Sequence, residues 1–177
     1  MIRRATIHDV PRMQEIITSH AELGKMLFKG YAQLYETIRD FAVYEDAGQI
    51  VGVTALAILW ADLSEVRSLA VDDRHRGKGI GSKLVQWCID EARRMQIRKL
   101  MSLTYEQRFF EKLGFKVVPK DSLPLKVWSD CVRCPKNDAC DEIAMVMELE
   151  DVIPPAGPVA PPTPRGVSIP VLEHFED

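Results

Sequence analysis

The chain has 177 residues, of which 46% are hydrophobic and 28% charged, and its formal net charge is −3. These values are typical of one globular domain with an appendage, and they exclude a general affinity for nucleic acid. No apolar run is long enough to cross a membrane, and the basic start of the chain lacks the apolar core of a signal peptide. We therefore predict a cytoplasmic protein with neither a nucleic-acid nor a membrane partner.

The first third of the chain is predicted to alternate short strands with helices. A strand over residues 2–5 precedes a helix that opens near Asp9 and Pro11 and ends at Gly24. A second helical stretch is predicted over residues 31–40. Residues 41–45 and 50–59 are rich in β-branched and apolar residues, and the short turn between them predicts an antiparallel hairpin.

The most informative stretch covers residues 65–82. Its first half is predicted to be a strand that ends at Val71, and from Ile80 apolar residues recur at helical spacing up to Met95. Residues 74–81, at this junction, hold two arginines, one lysine and three glycines. Glycines let backbone N–H groups approach a ligand, and the first turn of a helix attracts anions. We predict a cradle for a phosphate or pyrophosphate here.

Two common phosphate loops do not match this turn. A Walker A loop ending at Gly77 and Lys78 needs glycine at the position of Asp72 and a hydroxyl residue at the position of Gly79. A dinucleotide fingerprint starting at Gly77 needs small residues through position 82, and an acidic residue after a second strand. The predicted helix that follows runs without interruption instead.

The remaining chain is predicted to complete a mixed sheet. Residues 99–104 form a strand parallel to the strand before the turn, because a helix connects the two. A short helix over 107–113 and strands over 115–118 and 143–149 follow. The segment 119–142 is an insertion, and residues 151–177, which hold seven of the eleven prolines, form an extended tail.

The run from Arg76 to Gly81 (RGKGIG) resembles the R/Q-x-x-G-x-G/A signature of the GNAT superfamily of N-acetyltransferases. Residues 110–115 (FEKLGF) resemble the Y-E-K-L-G-F box of the same family. The resemblance covers residues 1–150 and implies an α/β fold: a central mixed, twisted sheet with splayed parallel strands, flanked by about four helices. Residues 1–150 then form the acetyltransferase domain, which includes the insertion, and 151–177 the tail.

The resemblance also implies acetyl-CoA as the co-substrate. The residues expected to bind it are Leu69, Ala70, Val71, Arg76, Gly77, Lys78, Gly79, Ile80, Gly81, Ser82 and Phe110. In the family the strand before the turn pairs its backbone with the pantetheine arm. The backbone N–H of Leu69 is expected to polarise the thioester carbonyl.

Glu65 is the expected general base, acting on the amine through a water, as in several family members. The alternative is that Glu65 faces solvent or pairs with Arg67 or Lys99. The family often has a tyrosine in the Y-E-K-L-G-F box that protonates the leaving thiolate, but here that position is Phe110. Tyr105 is the nearest substitute in the sequence, with a role as a packing aromatic as the alternative.

Residues 26–41, 103–110 and 123–131 resemble the short, single-domain bacterial form of the N-acetylglutamate synthases. This resemblance implies transfer of an acetyl group to the α-amino group of L-glutamate, the first step of arginine biosynthesis. Glutamate carries two carboxylates and needs at least two cations or donors. The candidate substrate-binding residues are Lys29, Arg39, Tyr105, Arg108 and Lys126. The expected partner is a small amino acid, and a homodimer is left open.

Three cysteines lie close together in the insertion: Cys131, Cys134 and Cys140. A structural zinc site usually has four ligands, and Asp138 or Asp141 could be the fourth. We expect no metal and keep zinc as the minority alternative. Cys88 lies on the predicted core face of a helix. Two other functions also stay open: acetylation of another small amine or a protein N-terminus, and a non-catalytic regulator that binds acetyl-CoA.

Overall fold

The computed structural model describes residues 1–124, 140–153 and 157. Within them the chain forms strands and helices in the order β1 (Ile2–Arg4), α1 (Val10–Glu22), α2 (Tyr31–Glu36), β2 (Phe41–Asp46), β3 (Gln49–Trp60), β4 (Leu63–Val71), α3 (Ile80–Arg94), β5 (Lys99–Thr104), α4 (Gln107–Glu111), β6 (Lys116–Val117) and β7 (Ile143–Glu148). Short 3₁₀ turns cover Ile7–Asp9, Ile38–Asp40, Asp73–His75 and Lys120–Ser122. The predicted α/β class is confirmed.

The strands form one mixed sheet in the order β1-β2-β3-β4-β5-β7-β6. Every neighbouring pair is antiparallel except β4 and β5, which are parallel, as the helical crossover predicts. That parallel pairing covers only Leu63–Glu65 against Lys99–Met101. The two strands then separate, which opens a cleft in the middle of the sheet.

Helices cover the two faces of the sheet. On one face, α1 and α2 pack with Val53, Ala55 and Ala70 in one apolar cluster. On the other face, α3 packs with Leu56 and Val66 in a second cluster. Since successive residues of a strand point to opposite faces, Glu65 and Arg67 lie on the α1–α2 face, while Val66 lies under α3.

A β-bulge interrupts β4 directly after these residues. Arg67 pairs with Ala55 and Ala70 with Val53, so two residues of β4, Ser68 and Leu69, oppose one residue of β3. Ser68 has a φ of 50°, which is unusual for a residue with a side chain. A bulge bends its strand and leaves residues without a ladder partner. Here it bends β4 at the point where the cleft opens.

The second helical stretch is shorter than the sequence predicts. The α-helix ends at Glu36, and residues 38–40 form a 3₁₀ turn instead of a further α-helical turn. Thr37 separates the two, and its hydroxyl donates a hydrogen bond to the carbonyl of Gln33 at 2.6 Å. Threonine competes in this way for helix carbonyls and is a weak helix former.

Candidate active site

A cavity of about 650 Å³ follows the cleft between β4 and β5. Five parts of the chain line it: the end of α1 with the loop to α2, strand β4, the turn into α3, the segment from β5 through α4, and the residues before β7. Glu65 and Val71 are six positions apart on β4, so the cavity extends along this strand for about 20 Å.

We call the part lined by Val71, Arg76, Gly77, Gly79, Ile80, Gly81 and Ser82 the glycine-rich end. Gly77 and Gly79 have φ values of 75° and 73°, a left-handed conformation that glycine adopts without strain. A Cβ built on either residue would meet no protein atom within 4 Å, so there is room for a ligand against the backbone. Gly79 caps the 15-residue helix α3, whose first N–H groups point out of the helix. This end therefore has the backbone features that favour anion binding.

Asp72 fixes this turn to the sheet and to α1. Its carboxylate accepts hydrogen bonds from the backbone N–H of Arg74 at 3.1 Å and from Nη2 of Arg12 at 2.6 Å. Arg12 also donates from Nε to the carbonyl of Ile50 at 3.1 Å. Hydrogen bonds from Arg74 and Arg12 hold the pKa of Asp72 well below its usual range. The ionised carboxylate therefore holds the turn in place throughout the neutral range.

The guanidinium of Arg76 forms an ion pair within the turn itself. Its Nε lies 3.0 Å from Oδ1 of Asp73, and both side chains are exposed. Lys78 does not line the cavity as the structure describes it. The backbone of the turn therefore contributes more directly to the site than the cations that first marked it in the sequence.

Aromatic rings close the α3 side of the cavity. Phe110 is buried and packs edge-to-face against Phe109 and Phe115, with ring centroids 5.1 Å away in each pair. A Cβ on Gly81 would lie 3.5 Å from the ring of Phe109, so a small residue there keeps the helix close to the ring. Phe110 lines the cavity, where its ring offers apolar contact and no proton.

We call the part lined by His20, Lys25, Lys29, Glu65 and Arg67 the charged end. Helix α1 starts beside the glycine-rich end, where Arg12 reaches Asp72, and its 13 residues extend about 20 Å away from it. His20 and Lys25, at and just after the helix end, therefore lie toward Glu65.

The carboxylate of Glu65 is buried, with 7% of the residue exposed. It forms an ion pair with Arg67, whose Nε donates to Oε2 of Glu65. The alternative pairing with Arg67 is thus present, whereas Nζ of Lys99 lies 3.8 Å from Asp62. Glu65 still lines the cavity, so the pairing does not remove its side chain from the site.

Asp40 adds a second carboxylate near this end. Burial raises the pKa of Asp40, and the charges of Arg67 and Lys29 act in the opposite direction. Lys29 and Arg67 therefore lie close enough to influence the same carboxyl group. Two cations and two carboxylates meet where the sheet opens.

Tyr105 lines the cavity between the two ends, just after β5. Burial and a hydrogen bond with Asp141 raise its pKa above the ordinary value. Its phenol therefore stays protonated, but a raised pKa makes it a weak proton donor. The hydroxyl is better suited to donating a hydrogen bond than to releasing its proton.

Most of the residues predicted for the site meet in this cavity. They are Lys29, Glu65, Leu69, Ala70, Val71, Arg76, Gly77, Gly79, Ile80, Gly81, Ser82, Tyr105 and Phe110. Arg39 and Arg108 are exposed and do not line it among the described residues. Lys126 lies outside the described residues. The roles of all these residues stay predictions.

Several lining residues carried no functional signal in the sequence. His20 fits the apolar spacing of α1, and its Nδ1 lies 3.1 Å from the carbonyl of Ile16. Lys25 is one of many lysines in the chain, and Arg67 is recognisable only by its two-residue spacing from Glu65 on a strand. Cys140 and Glu142 enter the cavity from the segment before β7, which nothing in the local sequence predicts.

The cysteines divide into two groups. Cys88 is buried in the core as predicted, and burial raises the pKa of its thiol to about 12. Cys131 and Cys134 lie outside the described residues, while Cys140 is half-buried. Within residues 1–124 and 140–153, no group of three or more His, Cys, Asp and Glu side chains is arranged to hold a metal ion.

Comparison with known proteins decides the family. A sequence model of the acetyltransferase (GNAT) domain matches residues 37–117. An uncharacterized N-acetyltransferase of Chlorobaculum tepidum is 38% identical over 148 residues, which cover 84% of this chain and 96% of that protein. The chain belongs to the GNAT family of acetyltransferases. The predicted family, fold and acyltransferase activity, with acetyl-CoA as the acetyl donor, are thereby confirmed.

Two further relatives narrow the type of acetyltransferase. An amino-acid acetyltransferase of Mycobacterium tuberculosis is 35% identical over 75% of this chain and 78% of its own length. The crystal structure of N-acetylglutamate synthase from Neisseria gonorrhoeae, complexed with coenzyme A and N-acetyl-glutamate, matches with a TM-score of 0.77 and 28% identity. The match covers 85% of this chain and 35% of the Neisseria chain. This GNAT enzyme is of the amino-acid N-acetyltransferase type.

Every helix in the described part of the chain is too short or too polar to span a membrane.

Proposed function

We propose that this acetyltransferase transfers the acetyl group of acetyl-CoA to the α-amino group of L-glutamate, giving N-acetylglutamate, the first step of arginine biosynthesis. The observation that carries the proposal is the charged end: Lys25 and Lys29 line the cavity, while Arg67 pairs with the buried carboxylate of Glu65. An acceptor with two carboxylates needs at least two such cations or donors. The Mycobacterium relative supports an amino acid as the acceptor, and the Neisseria structure with N-acetyl-glutamate supports glutamate.

The glycine-rich end is proposed to hold the diphosphate of acetyl-CoA. The N–H groups at the start of α3 and the left-handed backbone of Gly77 and Gly79 offer donors to phosphate oxygens. The bulge at Ser68 and Leu69 leaves these residues without partners in the β3–β4 register. The N–H of Leu69 is therefore suited to polarise the thioester carbonyl, while Ala70 and Val71 lie along the pantetheine arm.

Glu65 is proposed to take the proton of the substrate ammonium through a water molecule. The amine nitrogen then attacks the thioester carbonyl carbon, and its electron pair forms the new C–N bond. The C–S bond breaks, and the sulfur leaves with the bonding electrons as a thiolate. A proton from the reacting nitrogen or from water completes the coenzyme A thiol. Phe110 has no ionisable proton, and the raised pKa of Tyr105 makes its hydroxyl a weak acid. We therefore assign no dedicated general acid.

A thiol-release assay over a panel of amino acids tests the proposal. Glutamate is expected to give the highest kcat/KM, ahead of glutamine and aspartate, with N-acetylglutamate identified by mass spectrometry. Turnover restricted to basic or peptide amines would show that glutamate is not the acceptor. Tight binding of acetyl-CoA without turnover of any amine would instead favour a regulator.

Residues 1–150 are proposed to carry this activity, with 119–142 as an insertion and 151–177 as an appended tail. A chain ending at residue 153, the last residue of the continuous described segment, is expected to keep its kcat. Loss of kcat in a folded protein of this length would assign the tail to the active site.

A further inference from the structure

Arg67 was not assigned a function by the sequence, yet it is the closest charged neighbour of Glu65 that the structure describes. The two residues are two apart on β4 and therefore share one face of the strand. The Nε of Arg67 donates to Oε2 of Glu65, and the two side chains are 21% and 9% exposed. We propose that Arg67 is a positioning residue that keeps the carboxylate of Glu65 ionised and oriented along the cavity. This inference rests on the proposed role of Glu65 as base.

Burial makes such a partner necessary. A carboxylate removed from water loses hydration and is ionised at a large cost unless a cation and hydrogen bonds replace that hydration. An arginine supplies both, because its guanidinium stays charged at every accessible pH and donates from a fixed plane. The hydrogen bond to one oxygen also restricts rotation of the carboxylate. Orientation of this kind determines whether a base meets the proton that it takes.

The bulge makes the arrangement specific to this part of the strand. Glu65 and Arg67 lie before Ser68, where β4 still alternates regularly against β3. After the bulge, the next residue on the same face is Ala70, which packs in the apolar cluster under α1. The two charged residues therefore occupy the last two positions of this face before the bulge.

Other charged or titratable groups line the same cavity or act on the pair, and they contribute to the pH dependence of the site. They come from the end of α1 and its loop, the turn before β2, the segment after β5 and the segment before β7: His20, Lys25, Lys29, Asp40, Tyr105, Glu106, Cys140 and Glu142. Among them Asp40 also experiences the charge of Arg67. Arg67 thus pairs with one carboxylate and favours ionisation of a second.

The test is the pH profile of kcat for Arg67→Met with acetyl-CoA and glutamate. Without the guanidinium, Glu65 ionises at higher pH, so the acid limb is expected to move up by about one pH unit or more. On that limb kcat falls about tenfold and recovers as the pH rises, since one unit is a factor of ten in the ionised fraction. Arg67→Lys keeps the charge, so its limb stays near that of the wild type while its kcat falls through lost orientation.

Arg93→Met is the matched control, because Arg93 forms a 2.8 Å ion pair with Asp151 outside the cavity. Its profile is expected to match that of the wild type. An acid limb that does not move in Arg67→Met overturns the ionisation role. Should Arg67→Met fail to fold, Arg67→Lys decides: an unchanged kcat in that folded variant overturns the positioning role. A fully active Glu65→Gln enzyme contradicts the base assignment itself, which is a distinguishable failure.

Discussion

The glycine-rich end of the cavity is formed mainly by backbone, whereas the charged end is formed by side chains. Backbone from one continuous stretch, residues 71–82, forms the glycine-rich end, with left-handed Gly77 and Gly79 ahead of α3. The charged end consists of side chains from separate segments, brought together by α1, the loop to α2 and β4. A continuous backbone site leaves its pattern in the sequence, whereas a site assembled from distant side chains does not. The predictions below test this division, from the largest expected effect to the smallest.

The largest effect is expected at the charged end for Glu65→Gln. Removing the base should lower kcat by about 10²–10⁴-fold, the usual contribution of general base catalysis. The affinity for coenzyme A should stay unchanged, because Glu65 lies about 20 Å along β4 from the turn. Steady-state kinetics together with calorimetry of coenzyme A binding measure both quantities. Equal turnover in the variant would remove Glu65 from the role of base.

The second largest effect is expected at the glycine-rich end, where Gly79→Val should weaken the binding of coenzyme A. A β-branched residue at a φ of 73° costs about 1–3 kcal/mol of backbone strain and fills the space proposed for the diphosphate. Coenzyme A affinity should fall by about a hundredfold, the equivalent of two lost charge-assisted hydrogen bonds.

Gly48→Val supplies the matched control. Gly48 has a φ of 76° and also has no atom within 4 Å of its added Cβ, but it lies in the β2–β3 turn and does not line the cavity. It should lose similar thermal stability and keep its coenzyme A affinity. An equal loss of affinity in both variants would show that strain alone explains the result.

The sequence predicted much of the fold and one end of the site. The glycines before α3 and the strand before them predicted the candidate anion site, because the residues that would form it are contiguous. The parallel pairing of β4 and β5 followed from the helical crossover. The contacts of Arg67 with Glu65 and the entry of Lys25, His20 and Cys140 into the cavity depend on tertiary packing. Arg39 and Arg108 look equally basic in sequence, yet the fold leaves both at the surface.

Lys29→Met tests whether the charged end binds the acceptor without affecting the binding of coenzyme A. Loss of a cation that contacts a carboxylate costs about 1.5–3 kcal/mol, so KM for glutamate should rise tenfold or more. The Kd of coenzyme A should not change. Lys112→Met, an exposed lysine outside the cavity, is the control and should leave both values unaffected. A rise in the Kd of coenzyme A with no change for glutamate would place Lys29 at the other end.

Asp72→Asn should give the smallest effect, since it loosens the turn without removing any contact with the ligand. We expect coenzyme A affinity to fall by about threefold to tenfold, because the hydrogen bonds from Arg12 and Arg74 lose their charged partner. The pKa of Asp72 is lowered in the folded protein, so its stabilisation is complete above the ordinary carboxyl range and is lost as the pH falls below it. Thermal melts from pH 7 to pH 2 should show a smaller acid loss in Asp72→Asn than in the wild type. An identical loss would exclude this pair as an anchor.

A crystal structure with coenzyme A and N-acetylglutamate tests the division between the two ends most directly. We predict the diphosphate against the backbone N–H groups of residues 77–82, the acetylated nitrogen within one water of Glu65, and the carboxylates of the product facing Lys29 and the charged end. A diphosphate bound away from the start of α3, or a product whose carboxylates face away from these cations, would contradict the account.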